Sequence, residues 1–286
     1  MVAIDEKKLE IDSKELYLVQ GKSRYKREKH IPSKVQADTL FTFTSQLDFL
    51  IDSLKYKMLS PRYCTENVEY LKIDGIKQIA IPMKCFCDIN IHRLGEHLEW
   101  YGYYGIAFSK EWGMKKRIQP IQYINKDSYL CKDFSSAFQK ALSVDAESQT
   151  NAEKSMKNYL LHQLMYFKPY SGRIKNRNDD KIRTKCFTDE CEWRFVPDVT
   201  KAGYEQVYIN EEISNASNLY EFSNAMNGVA AISLVFTYDD IKYIIIKSNE
   251  EFKKICKAIS EMETNGITRN LLLSKIIIWE NSRGDF

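Results

Sequence analysis

The chain has 286 residues, 44% hydrophobic and 28% charged, with only 11 glycines and 6 prolines, which supports a buried core and excludes disordered, collagen-like and linker-rich proteins. Lys and Arg number 42 against 39 Asp and Glu, a formal charge of +3, too balanced for a general nucleic-acid coat but compatible with local basic patches. Residues 1–38 are charged, lack the apolar core of a signal peptide and are expected to form a leader. Their basic cluster, Lys22, Arg24, Lys26, Arg27, Lys29 and His30, reads either as a nucleic-acid-binding arm or as a solvated leader.

Order is expected from Thr39 onward, as a single α+β domain over residues 39–286. Leu40–Thr44 is β-branched and aromatic, the pattern of a strand. Ser45 stands at an N-cap position, and Leu47, Leu50, Ile51, Leu54 and Met58 follow at helical spacing up to Pro61. Ile79–Ile89 reads as a strand, His92–Trp100 as a short helix closed by Gly102, and Gly105–Ser109 and Ile118–Ile124 as two further strands. Residues 132–167 have the pattern of two helices, broken in the polar stretch Asp145–Asn151. Residues 168–183 read as a basic, breaker-rich loop whose Arg173 and Lys175 are candidate nucleic-acid contacts. Strands are expected at Cys191–Val196, Ala231–Phe236, Ile241–Ile246 and Leu271–Trp279, with a helix at Asn249–Glu261. The sum is an α+β fold, a mixed and largely antiparallel sheet with packed helices, without the alternation of a Rossmann sheet or a glycine-rich phosphate loop.

Seven cysteines, an odd number at low density, point to reduced thiols and a cytoplasmic protein. The longest apolar runs, Ile244–Ile246 and Ile276–Ile278, are far below the length of a membrane span. Cys85 and Cys87 share one face of their strand, but no second pair stands at zinc spacing, so buried apolar thiols are favoured and no metal is expected.

The aromatic surplus, 18 Tyr, 14 Phe and 4 Trp, suits cores, interfaces or stacking pockets. It crowds Trp100–Trp112, where His97 and Tyr101 stand four apart and Tyr103 follows; this reads either as a pocket wall or as a helix packed on the sheet. Glu190, Glu192 and Arg194 alternate with Cys191, Trp193 and Phe195. Such alternation is what a half-exposed strand shows, and equally what an active-site wall with two carboxylates would show.

Taken together, several segments resemble the AbiGi family of bacterial abortive-infection proteins: residues 40–67, IPMKCFCDI (Ile81–Ile89), HLEWYGYYGIAFSKEW (His97–Trp112), QPIQYI (Gln119–Ile124), KPYSG (Lys168–Gly172), FTDECEWRFVP (Phe187–Pro197) and Leu234–Ser248. The resemblance implies a phage-defence component, the antitoxin or regulator of a two-gene system whose partner is a nucleotidyltransferase-like toxin. A weaker similarity, of the first strand and helix, to DarT-like ADP-ribosyltransferases implies a divergent core of that kind. On that alternative Thr42 and Thr44 would line an NAD ribose site, Tyr101 or Tyr103 would stack on nicotinamide, His97 and Arg194 would complete the ligand-binding set, and Glu192 or Glu190 would be the catalytic carboxylate. The pattern has histidine where this sequence has Thr42, which weakens the implied chemistry more than the implied fold.

Overall fold

The computed structural model describes residues 30–145, 147–175, 181–209 and 216–283. The leader residues Lys22, Arg24, Lys26 and Arg27 lie outside them.

The alternation in Leu40–Thr44 produces β1 (Thr39–Thr44), buried through its first four residues. The helix after it, α1 (Leu47–Tyr56), is capped by the extended backbone of Gln46 rather than by Ser45, and Lys57, at φ 51°, ends it well before Pro61. Next come β2 (Met58–Leu59), β3 (Arg62–Asn67), β4 (Gln78–Cys87), α2 (Leu94–Tyr101), β5 (Tyr104–Ser109) and α3 (Lys110–Lys115). Pro120 interrupts the expected strand at Ile118–Ile124, leaving β6 (Gln119–Pro120) and β7 (Gln122–Ile124) on different partners. The helix pair α4 (Tyr129–Ser143) and α5 (Asn151–Met165) breaks where the polar stretch predicts, and Thr150 with Glu153 forms a capping box at the second start.

The described residues of the expected basic loop are mostly strand. They form β8 (Phe167–Pro169), β9 (Ser171–Lys175) and the start of β10 (Ile182–Cys186). After β11 (Glu192–Phe195), β12 (Tyr208–Ile209) and α6 (Ala216–Ala225), the segment expected as a strand at Ala231–Phe236 is a 3-10 turn followed by the two-residue β13 (Leu234–Val235). Strand β14 (Ile241–Ile246) and α7 (Asn249–Glu261) agree with the sequence pattern. The expected strand at Leu271–Trp279 is mostly helix: the Asn265 side chain accepts from Thr268 N–H at 2.8 Å and starts α8 (Gly266–Ser274), which buries Leu272. Only β15 (Ile276–Ile278) remains extended, before α9 (Trp279–Ser282).

One nine-stranded sheet orders its strands β15-β14-β5-β1-β4-β11-β6, with β3 and β12 also paired to β4. Every pairing in it is antiparallel except β14 with β15, so the sheet is mixed and largely antiparallel as expected. Period-2 alternation gives the sheet two apolar faces. Leu40, Phe86, Phe108, Ile244 and Ile246 pack on one side with Leu50 and Leu54 of α1 and with Ile255 and Ile259 of α7. Phe41, Cys87, Ala107 and Ile245 face the other way, toward Leu94 and Leu98 of α2. The far half of β4 buries Ile79, Ile81 and Met83 against the α4–α5 pair.

Gly102 turns the chain from α2 into β5, at φ 102°, so close to β1 that a Cβ would lie 2.2 Å from the Thr44 carbonyl oxygen. Backbone conformation and lack of space both require glycine there. At Gly203, φ 83°, nothing lies within 4 Å of the added carbon, so only the conformational cost applies. Gly102→Ala is therefore expected to lower stability by clearly more than Gly203→Ala, whose cost should be about 1 kcal/mol. Urea denaturation of the two variants measures the difference.

Candidate functional site

The site is built around β11. A 3-10 turn at Phe187–Glu190 and a left-handed Cys191, φ 41°, precede the strand. Glu192 lies opposite Cys87 of β4 and Arg194 opposite Cys85, which aims both at the α2 side of the sheet. Trp193 and Phe195 pack on the α1 side, as the alternation predicts. Glu190 is not on the strand, and the left-handed turn moves Cys191 to the α2-side cluster, away from the face it was expected to share with Trp193.

The turn nevertheless brings Glu190 back beside Glu192, where both meet cations from elsewhere in the chain. The Lys168 ammonium on β8 bonds Glu190 Oε2 and Glu192 Oε2, each at 2.7 Å. Arg194 Nε bonds Glu192 Oε1 at 2.6 Å, its Nη2 reaches Glu66 Oε1 of β3 at 2.6 Å, and its Nη1 donates to the Met165 carbonyl at the end of α5 at 2.8 Å. Lys185 Nζ on β10 lies 2.9 Å from Glu190 Oε1, the oxygen to which the Tyr101 hydroxyl also donates. The Glu192 N–H donates to the Tyr123 hydroxyl at 2.8 Å. Aromatic rings close the cluster: Lys185 sits 4.7 Å from the Trp100 ring centre and Lys168 5.0 Å from that of Phe187.

Lys168, Lys185 and Arg194 thus face Glu66, Glu190 and Glu192, three cations against three carboxylates. The Arg194 side chain is 0% exposed, and Glu192 5%. Desolvating any one of these ions alone would cost several kcal/mol, so each depends on its partners. Burial by itself would raise the Glu192 carboxyl, but Arg194 and Lys168 outweigh it and hold the group well below the usual carboxylate range. Glu190 is likewise lowered, burial being outweighed by Lys168 and Lys185. Burial also disfavours the Lys168 ammonium, yet Glu192, Glu66 and Glu190 keep it firmly charged.

His97, one turn before Tyr101 on α2, lies tilted against that ring, centroids 4.6 Å apart at 40°, and against Phe43 at 5.6 Å and 55°. Burial, with Lys185 nearby, lowers its pKa to about 4, so the imidazole is neutral at physiological pH. His97, Lys185 and Glu190 border a cleft of about 410 Å³ whose other walls include Val35, Asn90, Arg93 and Asp189.

The remaining expected site residues lie elsewhere. Thr42 pairs with Ile106, on the face that carries Leu40, so the sheet separates it from Glu192 and Tyr101. Thr44 has the same parity at the end of β1. Tyr103 packs against the α2-side cluster under the Lys247 ammonium, 5.4 Å from its ring centre. Arg173 is exposed on β9, and Lys175 ends that strand. Lys168, Lys185, Glu66 and Tyr123 escaped the sequence reading, because a lone lysine in a polar stretch looks solvated and only the fold supplies its carboxylates. Among the described residues no group of three or more His, Cys, Asp and Glu could hold a metal ion, and no helix is long and apolar enough to cross a membrane.

Residues 57–247 match the model of the family described as "Putative abortive phage resistance protein AbiGi, antitoxin". The chain is also 30% identical, over 249 residues, to the abortive phage resistance protein AbiGi of Lactococcus lactis subsp. cremoris, with 79% of this chain and 98% of that protein covered. This chain belongs to the AbiGi family. No solved structure matches it. The matched AbiGi residues include all six ions of the buried cluster, whereas β1, with Thr42, lies before them.

Two stability measurements follow. Arg194→Met strands Glu66 and Glu192 and is expected to cost about 3–5 kcal/mol. Adding Glu192→Gln should recover part of that loss in a double-mutant cycle read by urea denaturation. The second concerns pH. The unfolded chain protonates His97 below its ordinary 6.5, whereas the folded protein resists to about 4, so stability is full above 6.5 and declines as pH falls through that window. Glu190 and Glu192 add a second loss at lower pH, below the ordinary carboxylate value of 4.5, where only the unfolded chain readily takes up their protons. His97→Leu should shrink the first phase, to which His162, also lowered by burial, contributes as well, and leave the second.

Proposed function

We propose that this chain is the antitoxin half of a two-gene abortive-infection pair, a cytoplasmic protein that acts by binding a partner toxin. On this reading the partner is a nucleotidyltransferase-like protein encoded by a neighbouring gene. The observation that carries the proposal is the condition of Glu192: both of its oxygens are taken up by Lys168 and Arg194. A transferase needs its carboxylate and its ribose-holding donor to meet at one reacting carbon. Here Glu192 is spent on internal cations and Thr42 lies across the sheet. The antitoxin description of the family supports the same reading.

The alternative, an NAD-consuming ADP-ribosyltransferase-like effector, draws on the cleft bordered by His97, Lys185 and Glu190, whose size is in the range of ligand pockets. In it Glu190, rather than Glu192, reaches the cavity.

Coexpression with the neighbouring gene is expected to lower that gene's toxicity and to give a complex that copurifies; if neither occurs, the antitoxin proposal fails. In parallel, purified protein and a Glu192→Gln variant are incubated with labelled NAD. Neither is expected to yield labelled product, and labelling by the unmodified protein that the variant loses would favour the enzyme instead.

A further inference from the structure

The cleft beside the ion cluster lies where three stretches of chain meet. Residues 88–97 run from the end of β4 into α2, residues 185–191 run from β10 through the 3-10 turn to Cys191, and Val35 with Gln36 precedes β1. Lys185 reaches the cleft from β10, which pairs with β9 alone among the described strands. The ionic lining is unequal: Asp88, Glu96, Asp189 and Glu190 stand against Arg93 and Lys185, four carboxylates to two cations. His97, whose pKa burial lowers to about 4, adds no positive charge at physiological pH.

Internal pairing does not remove the excess. Glu190 is balanced by Lys168 and Lys185. At the rim Glu96, Asp189 and Arg93 are exposed and enter no ion pair among the described residues, which leaves two carboxylates to one guanidinium. Asp88 supplies a second, independent mark. It is only 4% exposed, its Oδ2 lies 2.6 Å from the Lys110 ammonium, and Trp193 faces the same carboxylate. Its N–H donates to the Cys191 carbonyl at 3.0 Å, which fixes it in the cleft wall. Yet Asp88 Oδ1 accepts no hydrogen bond from any described residue. A buried carboxylate oxygen without a donor costs free energy, which a donor arriving there restores.

We infer that this cleft is a site for a small organic cation, a ligand with a guanidinium or ammonium group, which Asp88 receives while Glu96 and Asp189 attract it at the rim. A cleft with an excess of one sign of charge raises the local concentration of ions of the other sign. At about 410 Å³ the cavity has the size of a small-ligand pocket. The same lining opposes a dinucleotide, whose diphosphate would enter among four carboxylates. Binding of such a cation is independent of the toxin partner, since it requires neither a complex nor the neighbouring gene.

Isothermal titration calorimetry of the full chain with agmatine, with spermidine and with NAD, each at 50 and 200 mM salt, tests it. At least one of the two amines is expected to bind, more weakly at the higher salt, and NAD is not. The rim variant Glu96→Gln/Asp189→Asn, its fold checked by circular dichroism, should bind the amine about threefold to tenfold more weakly. The variant Asp88→Asn/Lys110→Met removes both buried charges together, so that neither is stranded, and should weaken binding about tenfold or more. If it fails to fold, the rim variant decides, because its side chains are exposed. No binding of either amine at 50 mM salt, or unchanged binding by the rim variant, would overturn the assignment. So would NAD binding more tightly than both amines.

Discussion

Three cations and three carboxylates, withdrawn from water and closed on one another, hold the middle of this protein together. They come from five stretches of chain: Glu66 from β3, Lys168 from β8, Lys185 from β10, Glu190 from a 3-10 turn, and Glu192 with Arg194 from β11. A balanced buried cluster of this kind adds little net stability over well-packed apolar residues, because desolvation consumes most of the Coulombic gain. Its effect is on alternatives. Slipping β11 by one residue against β4 would send Glu192 and Arg194 to the α1 side, among leucines, and leave Lys168 with one carboxylate in place of two and Glu66 without its arginine. The charges thereby select one strand register, and with it the placement of every element that carries one of them.

The same arrangement is what supports the proposed binding role over the transferase alternative. A carboxylate that must support a developing cation in a reaction has to be free to respond to it, and Glu192 already spends both oxygens. The neutral His97 borders the cleft, with the Tyr101 ring tilted against it and the Tyr101 hydroxyl bonded to Glu190.

Where periodicity was strong, the sequence was a sufficient guide. Asn249–Glu261 is the helix its spacing predicts, Ile241–Ile246 the strand, and the break between α4 and α5 falls in the polar stretch that signals it. Short apolar runs deceived, since Leu271–Leu273 satisfies a strand pattern as well as a helix pattern, and the decision fell to the Asn265 cap. Residues 168–183 misled for a different reason. Their lysines and arginines resemble a solvated loop until the carboxylates that neutralise Lys168 and Lys185 are in place, and those lie in other parts of the chain. The pairing of Glu192 with Arg194 was legible from spacing of two; that Glu190 would join them through a turn, and that Thr42 would stand across the sheet, was not, because both depend on the whole topology.

Gly172 and Lys185 face each other across the β9–β10 ribbon, one letting the backbone settle on Phe187 and the other reaching into the charge cluster. The ribbon is thus not an appendage with a stability of its own. Peeling it from the body would draw Lys185 away from Glu190 and expose an unbalanced carboxylate, so its opening free energy is drawn from the same reserve that keeps β11 in place. Peeling the ribbon therefore works against the same ions that hold β11 in register.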